Sequence, residues 1–71
     1  MQITYDTKAD AMYIQFQEGE FAANKEIEEG IILDLGKGGA LLGIEVLEAS
    51  KRFPLKDLAR VDIRMPLNLP A

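Results

Sequence analysis

The sequence predicts an α+β fold that is rich in β structure, an antiparallel β-meander of about four to six strands with one short C-terminal helix. Two observations predict this class. Apolar residues alternate with polar residues along most of the chain, as they do in half-buried strands. Polar or glycine-rich segments separate the alternating runs, and only one stretch, after Pro54, has helical spacing.

The first two strands are predicted on either side of residues 6–11. Ile3 and Tyr5 alternate with polar residues before this segment. Met12 and Ile14 alternate with polar residues after it. Pairing Tyr5 with Met12 keeps both apolar sets on one face of the sheet, since a slip of one residue would turn one set away. Ile3 then lies opposite Ile14.

A turn at residues 18–20 and a short polar strand near residues 23–28 are expected next. After Gly30 comes the apolar run IILDL, which the glycine-rich residues 36–39 separate from the run ALLGIEVL. Two apolar runs joined by such a segment predict a β-hairpin, because glycine readily adopts the positive φ of a tight turn.

The hairpin's expected register follows from a turn at residues 36–39. Leu33 then lies opposite Leu42, and Ile31 lies opposite Ile44. Leu35 would face Ala40.

The C-terminal part is predicted to contain a short helix and a further strand. Pro54 suits the first helical position, and Leu55 and Leu58 would share the face that packs on the sheet. Alternating apolar residues from Val61 to Met65 predict a strand that Pro66 ends. The chain is thus expected to be one domain, with a meander at residues 1–52 and a helix, strand and tail at residues 53–71.

The composition excludes most kinds of catalysis. The chain has no cysteine and no histidine, which removes the thiolate nucleophile, the imidazole base and the usual ligands of zinc, copper and haem. We therefore predict a protein that is not an enzyme, with no catalytic residue, no cofactor and no metal site.

The charge and hydropathy of the chain argue against nucleic acid and membrane as direct partners. The net charge is −4, and an acidic chain is a poor candidate for direct nucleic-acid binding. Residues 1–36 carry eight acids and two bases, and residues 37–71 carry four acids and six bases, so the two halves have opposite charge. No apolar run approaches the roughly 20 residues that span a bilayer, and no export signal is visible. A cytoplasmic protein that does not enter the membrane is expected.

Asp6 and Asp10 are spaced closely enough to raise the question of a calcium-binding loop. Counted from Asp6, the third, sixth and twelfth positions are Lys8, Ala11 and Gln17, which do not fit the calcium-loop pattern. Aspartates at strand ends commonly accept hydrogen bonds from backbone N–H groups, so we expect both to turn the chain.

Two other groups resemble sites at first sight. GKGGALLG lacks the spacing of a phosphate-binding loop and leads into a strand.

In the expected register Asp34 lies across from Leu41, so no carboxyl group is placed to raise the pKa of another, and a solvated acidic face is predicted. Ser50, the only serine, is expected to cap or turn the chain. The residues of this predicted acidic face are Glu26, Glu28, Glu29, Asp34 and Glu45.

Three segments, ITYDTKADAMYIQF, EIEEGIILDL and ALLGIEVLEASKR, carry a resemblance to a known family. They are similar to the patterns Y-D-x-x-A-D-A-x-Y-I, E-x-x-x-G-I-I-x-D and G-I-E-x-L-x-A-S-K-R of small prokaryotic proteins classed as a domain of unknown function. The resemblance covers about residues 2–52. It implies a short cytosolic protein, supplies no catalytic residue, and suggests an antitoxin-like role with a small protein partner.

Self-association is predicted from the distribution of apolar residues. A short helix is too small to cover the apolar face of the predicted sheet, and apolar residues on the reverse face and in the C-terminal part lack an obvious site within one chain. The candidate interaction surface consists of Tyr13, Ile32, Leu41, Val61, Ile63 and Met65. We expect a homodimer that acts as a non-enzymatic interaction module with a small-protein or regulatory partner. The alternative is a small domain that binds a ligand or a divalent metal ion on its acidic face.

Overall fold

The computed structural model describes residues 1–66 and contains one five-stranded antiparallel sheet. The strands are β1 (Gln2–Asp6), β2 (Ala11–Gln15), β3 (Phe21–Glu28), β4 (Ile31–Gly36) and β5 (Leu41–Leu47). One short helix, α1, spans Ala49–Arg52, and 3-10 turns span Lys37–Gly39 and Leu55–Ala59. The predicted β-rich antiparallel class is confirmed. Within residues 1–66, no helix has the length and apolarity needed to cross a membrane.

The strand order is β1-β2-β5-β4-β3. Two units build this sheet, the hairpin β1–β2 and the three consecutive strands β3 to β5. Strand β5 joins them because it pairs with β2 on one side and with β4 on the other. Residues 16–20 therefore carry the chain from the second strand of the sheet to its far edge.

The first hairpin has the predicted register. Tyr5 lies opposite Met12, and Ile3 lies opposite Ile14. The Asp6 carboxylate accepts hydrogen bonds from the backbone N–H groups of residues 8 and 9, at 2.9 and 3.1 Å. Asp6 turns the chain as expected, since its side chain supplies the acceptor that the local backbone lacks.

The predicted register of the second hairpin is wrong by two residues over most of its length. Leu33 lies opposite Ile44, not Leu42, and Ile31 lies opposite Val46, not Ile44. The connection includes Ala40, whose carbonyl accepts a hydrogen bond from the Gly36 N–H at 2.7 Å.

A register irregularity between Asp34 and Leu35 also shifts the strands, so that Leu35 lies opposite Leu41. Because the final shift is even, Leu33 and Ile31 remain on the predicted face.

One face of the sheet, here called the Met12 face, carries two apolar rows that cross four strands. Cross-strand pairing places the following residues on it: Ile3, Ile14, Ile44 and Leu33 in one row, and Tyr5, Met12, Val46 and Ile31 in the next. Among residues 1–66 the buried hydrophobic residues are Met12, Leu42 and Ala49. The other members of the two rows are only half-buried. The described chain therefore has a thin core.

The C-terminal part differs from the prediction. The α-helix lies before Pro54, over Ala49–Arg52, and residues Leu55–Ala59 form a 3-10 turn that follows Pro54. Residues 61–66 form no strand. Alternation alone predicted a strand there, and within the part of the chain that the structure describes no strand pairs with it. The tail beyond residue 66, also part of the sequence prediction, lies outside the described residues.

Leu42→Asp is expected to lower the free energy of unfolding by at least about 2 kcal/mol, because it places a charge without a partner in the core. The Leu42 side chain is 6% exposed and fills the space beside Gly19 and Gly36. Chemical denaturation measures the loss. The matched control is Leu41→Asp, because Leu41 is 38% exposed. Equal stability of the two variants would contradict this placement of Leu42.

Candidate functional site

Asp10 joins the first hairpin to the segment after β5. The residue has a left-handed backbone, with φ of 52°. Its carboxylate accepts hydrogen bonds from the Tyr5 hydroxyl at 2.7 Å, the Ser50 N–H at 3.0 Å and the Ser50 hydroxyl at 2.6 Å. Its backbone carbonyl accepts a fourth bond from the Ala49 N–H at 2.9 Å. Asp10 thus caps the beginning of helix α1 from a distant part of the chain.

These bonds determine the electrostatics of the junction. The hydrogen bond from the Ser50 side chain, followed by that from Tyr5, lowers the pKa of Asp10 below its usual value. The bond to Asp10 correspondingly raises the pKa of Tyr5. A carboxylate with a lowered pKa is a weak base, so this arrangement does not activate the Ser50 hydroxyl as a nucleophile. Asp10 does more than turn the chain. Ser50 lies inside α1 and donates to Asp10, so it is the residue that Asp10 caps and not the predicted cap.

Arg52 makes a second junction, between α1 and the turn that joins β3 to β4. Its guanidinium donates to the Leu47 carbonyl at 2.8 Å and to the Glu29 carbonyl at 2.6 Å. Gly30 has φ of 80°, and a Cβ at this position would collide with the guanidinium. Glycine is required here by both the backbone conformation and the space. The arginine thus holds the turn against the end of β5.

A shallow groove of about 670 Å³ lies at this junction. Carboxylates and Arg52 line it, so its charge is mainly negative. Three of the five predicted acidic residues, Glu26, Glu28 and Glu29, lie here. The Glu26 carboxylate accepts a hydrogen bond from the Gly30 N–H at 3.3 Å.

The remaining two acidic residues, Asp34 and Glu45, meet on the reverse face of the sheet, beside Tyr13. Asp34 lies opposite Gly43, and Tyr13 lies opposite Glu45. The Tyr13 phenol occupies the space above Gly43 where a larger residue would have its Cβ. The tyrosine can therefore reach across the strand toward Asp34.

This cluster overturns the prediction that no carboxyl group raises the pKa of another. Burial is the main cause that raises the pKa of Glu45, and hydrogen bonding and negative charge from Asp34 add to it. Burial, followed by the charge of Asp34, also raises the pKa of Tyr13. The expected register placed Asp34 opposite Leu41. The shift of two residues brings it diagonal to Glu45, within reach of a carboxyl side chain.

The raised pKa of Glu45 favours its protonated form within this cluster. Among residues 1–66 there is no group of three or more histidine, cysteine, aspartate or glutamate side chains arranged to hold a metal ion.

The predicted interaction surface draws on the sheet and on the C-terminal part. Tyr13 and Ile32 are half-buried in the same row of the sheet, with Glu45 between them. Leu41 lies at the start of β5. Val61, Ile63 and Met65 are 54%, 66% and 63% exposed. The C-terminal three therefore offer accessible apolar surface, and Tyr13 belongs to the carboxyl cluster.

The sequence alone assigned no role to Gly43 or Arg52. It placed Tyr5 only in the apolar set of the first strand and Tyr13 only in the interaction surface. These residues lie within the three segments that carried the family resemblance, or at their ends. Their partners are distant in sequence, so no local period reveals the contacts. The one signal in the sequence was that the family patterns specify a residue type at these four positions.

Comparison with known proteins identifies the family. The family described as "Protein of unknown function (DUF2283)" matches residues 2–50, and the chain belongs to it. A curated Methanosarcina mazei protein, named as a putative hypoxanthine phosphoribosyltransferase, is 33% identical over 60 residues. The match covers 84% of this chain and 46% of that protein, so the chain spans less than half of the relative. No solved structure matches the chain.

Asp10→Asn is expected to remove part of the acid sensitivity of folding. Because the folded-state pKa of Asp10 is lowered, its ionised form stabilises the fold above the unfolded pKa, and this contribution is lost as pH falls through the folded pKa. Unfolding followed from neutral to acid pH measures the effect. Asparagine keeps the left-handed backbone accessible, so the comparison reports the loss of the charge together with one carboxylate acceptor.

Asp6→Asn is the matched control, because an amide oxygen can still accept the bonds from residues 8 and 9. It should change little. An acid transition of Asp10→Asn that coincides with that of the parent protein would contradict the role of the Asp10 carboxylate.

Glu45→Gln is expected to raise the melting temperature near neutral pH. The folded-state pKa of Glu45 is raised, so its stability contribution is present below the unfolded pKa and is lost as pH rises through the folded pKa. The advantage of glutamine should therefore shrink toward about pH 4. Thermal melts at both pH values test this, with the exposed Glu18→Gln as control. A neutral-pH gain of the same size in the control would count against the cluster.

Proposed function

We propose that this protein is a non-enzymatic, self-associating interaction module that also binds a small-protein or regulatory partner. The observation that carries the proposal is the incomplete cover of the Met12 face. Most of its apolar side chains are half-buried, and only three hydrophobic residues in the described part of the chain are buried. A second copy enlarges a core that is marginal at this length.

The exposed apolar residues of the C-terminal part support a contact surface beyond the sheet. Val61, Ile63 and Met65 alternate with the charged residues Asp62 and Arg64. A segment of this pattern can pair as a strand once a partner supplies the neighbouring backbone. Either a second copy of this chain or a different small protein could supply that neighbouring strand.

The opposite charges of the two halves support association between chains. Residues 1–36 have a net charge of −6, and residues 37–71 have a net charge of +2. Complementary charge directs encounter and selects partners more than it adds affinity. An antitoxin-like role with a small protein is the specific form of the partner proposal that the family resemblance suggested.

The chemistry of the Asp10 site supports a non-enzymatic role. Asp10 is engaged by Tyr5 and Ser50, and its lowered pKa makes it a weak base. The relative's name gives phosphoribosyl transfer for that protein, of which this chain spans less than half. In the described part of this chain, the glycine-rich turn after Gly36 leads into β5, and a phosphate-binding loop opens a helix. We therefore do not propose phosphoribosyl transfer here.

The alternative is a small ligand-binding or divalent-metal-binding domain that uses its acidic groups. The groove beside Arg52, lined by glutamates and a guanidinium, favours the ligand-binding form of this candidate, since its glutamates are not arranged as a metal-binding group. Titration with calcium or magnesium, followed by amide chemical shifts, distinguishes the two functions. Saturable shifts confined to Glu26, Glu28 and Glu29 would support the alternative.

The interaction proposal predicts a mass of twice the 7.9 kDa of one chain in light scattering at micromolar concentration. Deletion of residues 61–71 is expected to raise the dissociation constant if this part contributes to the interface. A monomer mass that persists on concentration would refute self-association. If the truncated chain dimerises like the parent, residues 61–71 do not contribute to the interface, and self-association itself stands.

A further inference from the structure

The sheet has two edges, formed by β1 and β3. An edge strand has unpaired backbone N–H and C=O groups along one side, so it can pair with a strand of another chain. Proteins commonly block such pairing with charged side chains, irregularities or proline on the edge. The two edges of this sheet differ sharply in these features.

Strand β3 carries several features that oppose pairing. Its register with β4 is irregular between Phe21 and Ala23 and again between Glu26 and Glu28. Lys25 lies opposite Leu33, which places a charged residue in the row of the Met12 face. Glu26 and Glu28 add negative charge to the same strand. A partner strand would meet an irregular, charged backbone at this edge.

Strand β1 has none of these features before its last residue. Gln2 to Tyr5 are uncharged, and the strand contains no proline. Its five residues pair with β2 without a register shift. Ile3 and Thr4 are β-branched, and Tyr5 is aromatic, the residue types that favour strands. Within residues 1–66 no strand pairs with its outer side, so the β1 edge described here is regular, uncharged over most of its length and open.

We propose that two copies associate by antiparallel pairing of β1 with β1 about a two-fold axis at Thr4. The inference rests on the proposed self-association and gives the geometry of one contact, which runs along the sheet edge and does not itself cover the Met12 face. Centring the pair on Thr4 is the arrangement that aligns all five residues of both strands. Thr4 then faces Thr4 of the second copy, and Ile3 faces Tyr5. Gln2 faces Asp6, so the two Asp6 carboxylates do not lie opposite each other.

Each pair of facing residues in this register is chemically compatible. The pair of Ile3 and Tyr5 is an aromatic and β-branched contact, and the pair of threonines can hydrogen-bond. The Gln2 amide can donate to the Asp6 carboxylate. The Tyr5 hydroxyl is held by Asp10, which orients its ring before association. The two five-stranded sheets become one ten-stranded sheet, in which the Met12 faces are continuous.

A single cysteine at the axis tests the geometry, because the natural chain has none. Facing residues of an antiparallel pair have Cα atoms about 4.5 to 5.5 Å apart, which suits a disulfide. Thr4→Cys should therefore give a disulfide-linked dimer under mild oxidation. Asn24→Cys is the matched control, since Asn24 is exposed and lies on the opposite edge strand. Cross-linking of both variants at the same rate would overturn the proposal.

Charge at the same position gives a second, reversible test. Thr4→Lys and Thr4→Glu should each be monomeric in light scattering, because like charges would face each other across the axis. Mixing the two variants should restore the dimer, and Asn24→Lys should remain dimeric. If the parent is a dimer and neither Thr4 variant weakens it, the β1 geometry is wrong and self-association stands. If the parent is a monomer at every concentration, self-association itself fails.

Discussion

The pairing of β2 with β5 holds the two units of this protein together. Without it, the hairpin β1–β2 would have no neighbour, and an isolated two-stranded hairpin is marginally stable in water. Asp10 extends the same contact beyond the sheet, because its carbonyl and carboxylate bind the first residues of α1. Arg52, at the other end of this helix, binds the turn between β3 and β4. One short helix thus connects both units.

The Asp10 and Arg52 junctions lie at the ends of strands, and the sheet itself supplies little interior. A single layer leaves one apolar face to be covered, and the described helix and turns after β5 are short. The Asp10 and Arg52 junctions stabilise the positions of turns, and they do not exclude water from the Met12 face. The stability of one chain and its association are therefore linked properties, since the same apolar side chains serve both.

Local features were predictable from the sequence, and features that depend on distant residues were not. The register of the first hairpin followed from alternation at Ile3, Tyr5, Met12 and Ile14, because the faces of two neighbouring strands must match. The second hairpin was misaligned because neither Ala40 in the turn nor the irregularity at Asp34 has a sequence signal. That error hid the meeting of Asp34 with Glu45. The bond between Asp10 and Ser50 joins residues 40 positions apart, which no periodic pattern reveals.

The position of β5 in the sheet has a consequence for how the chain folds. The residues that pair β2 with β5 are separated by about 30 positions, and such non-local contacts form slowly because a long loop must first be closed. During synthesis the first hairpin emerges well before its partner strand. Until β5 arrives, both edges of that hairpin are open, so the nascent chain passes through an interval of exposure to aggregation before the sheet is complete.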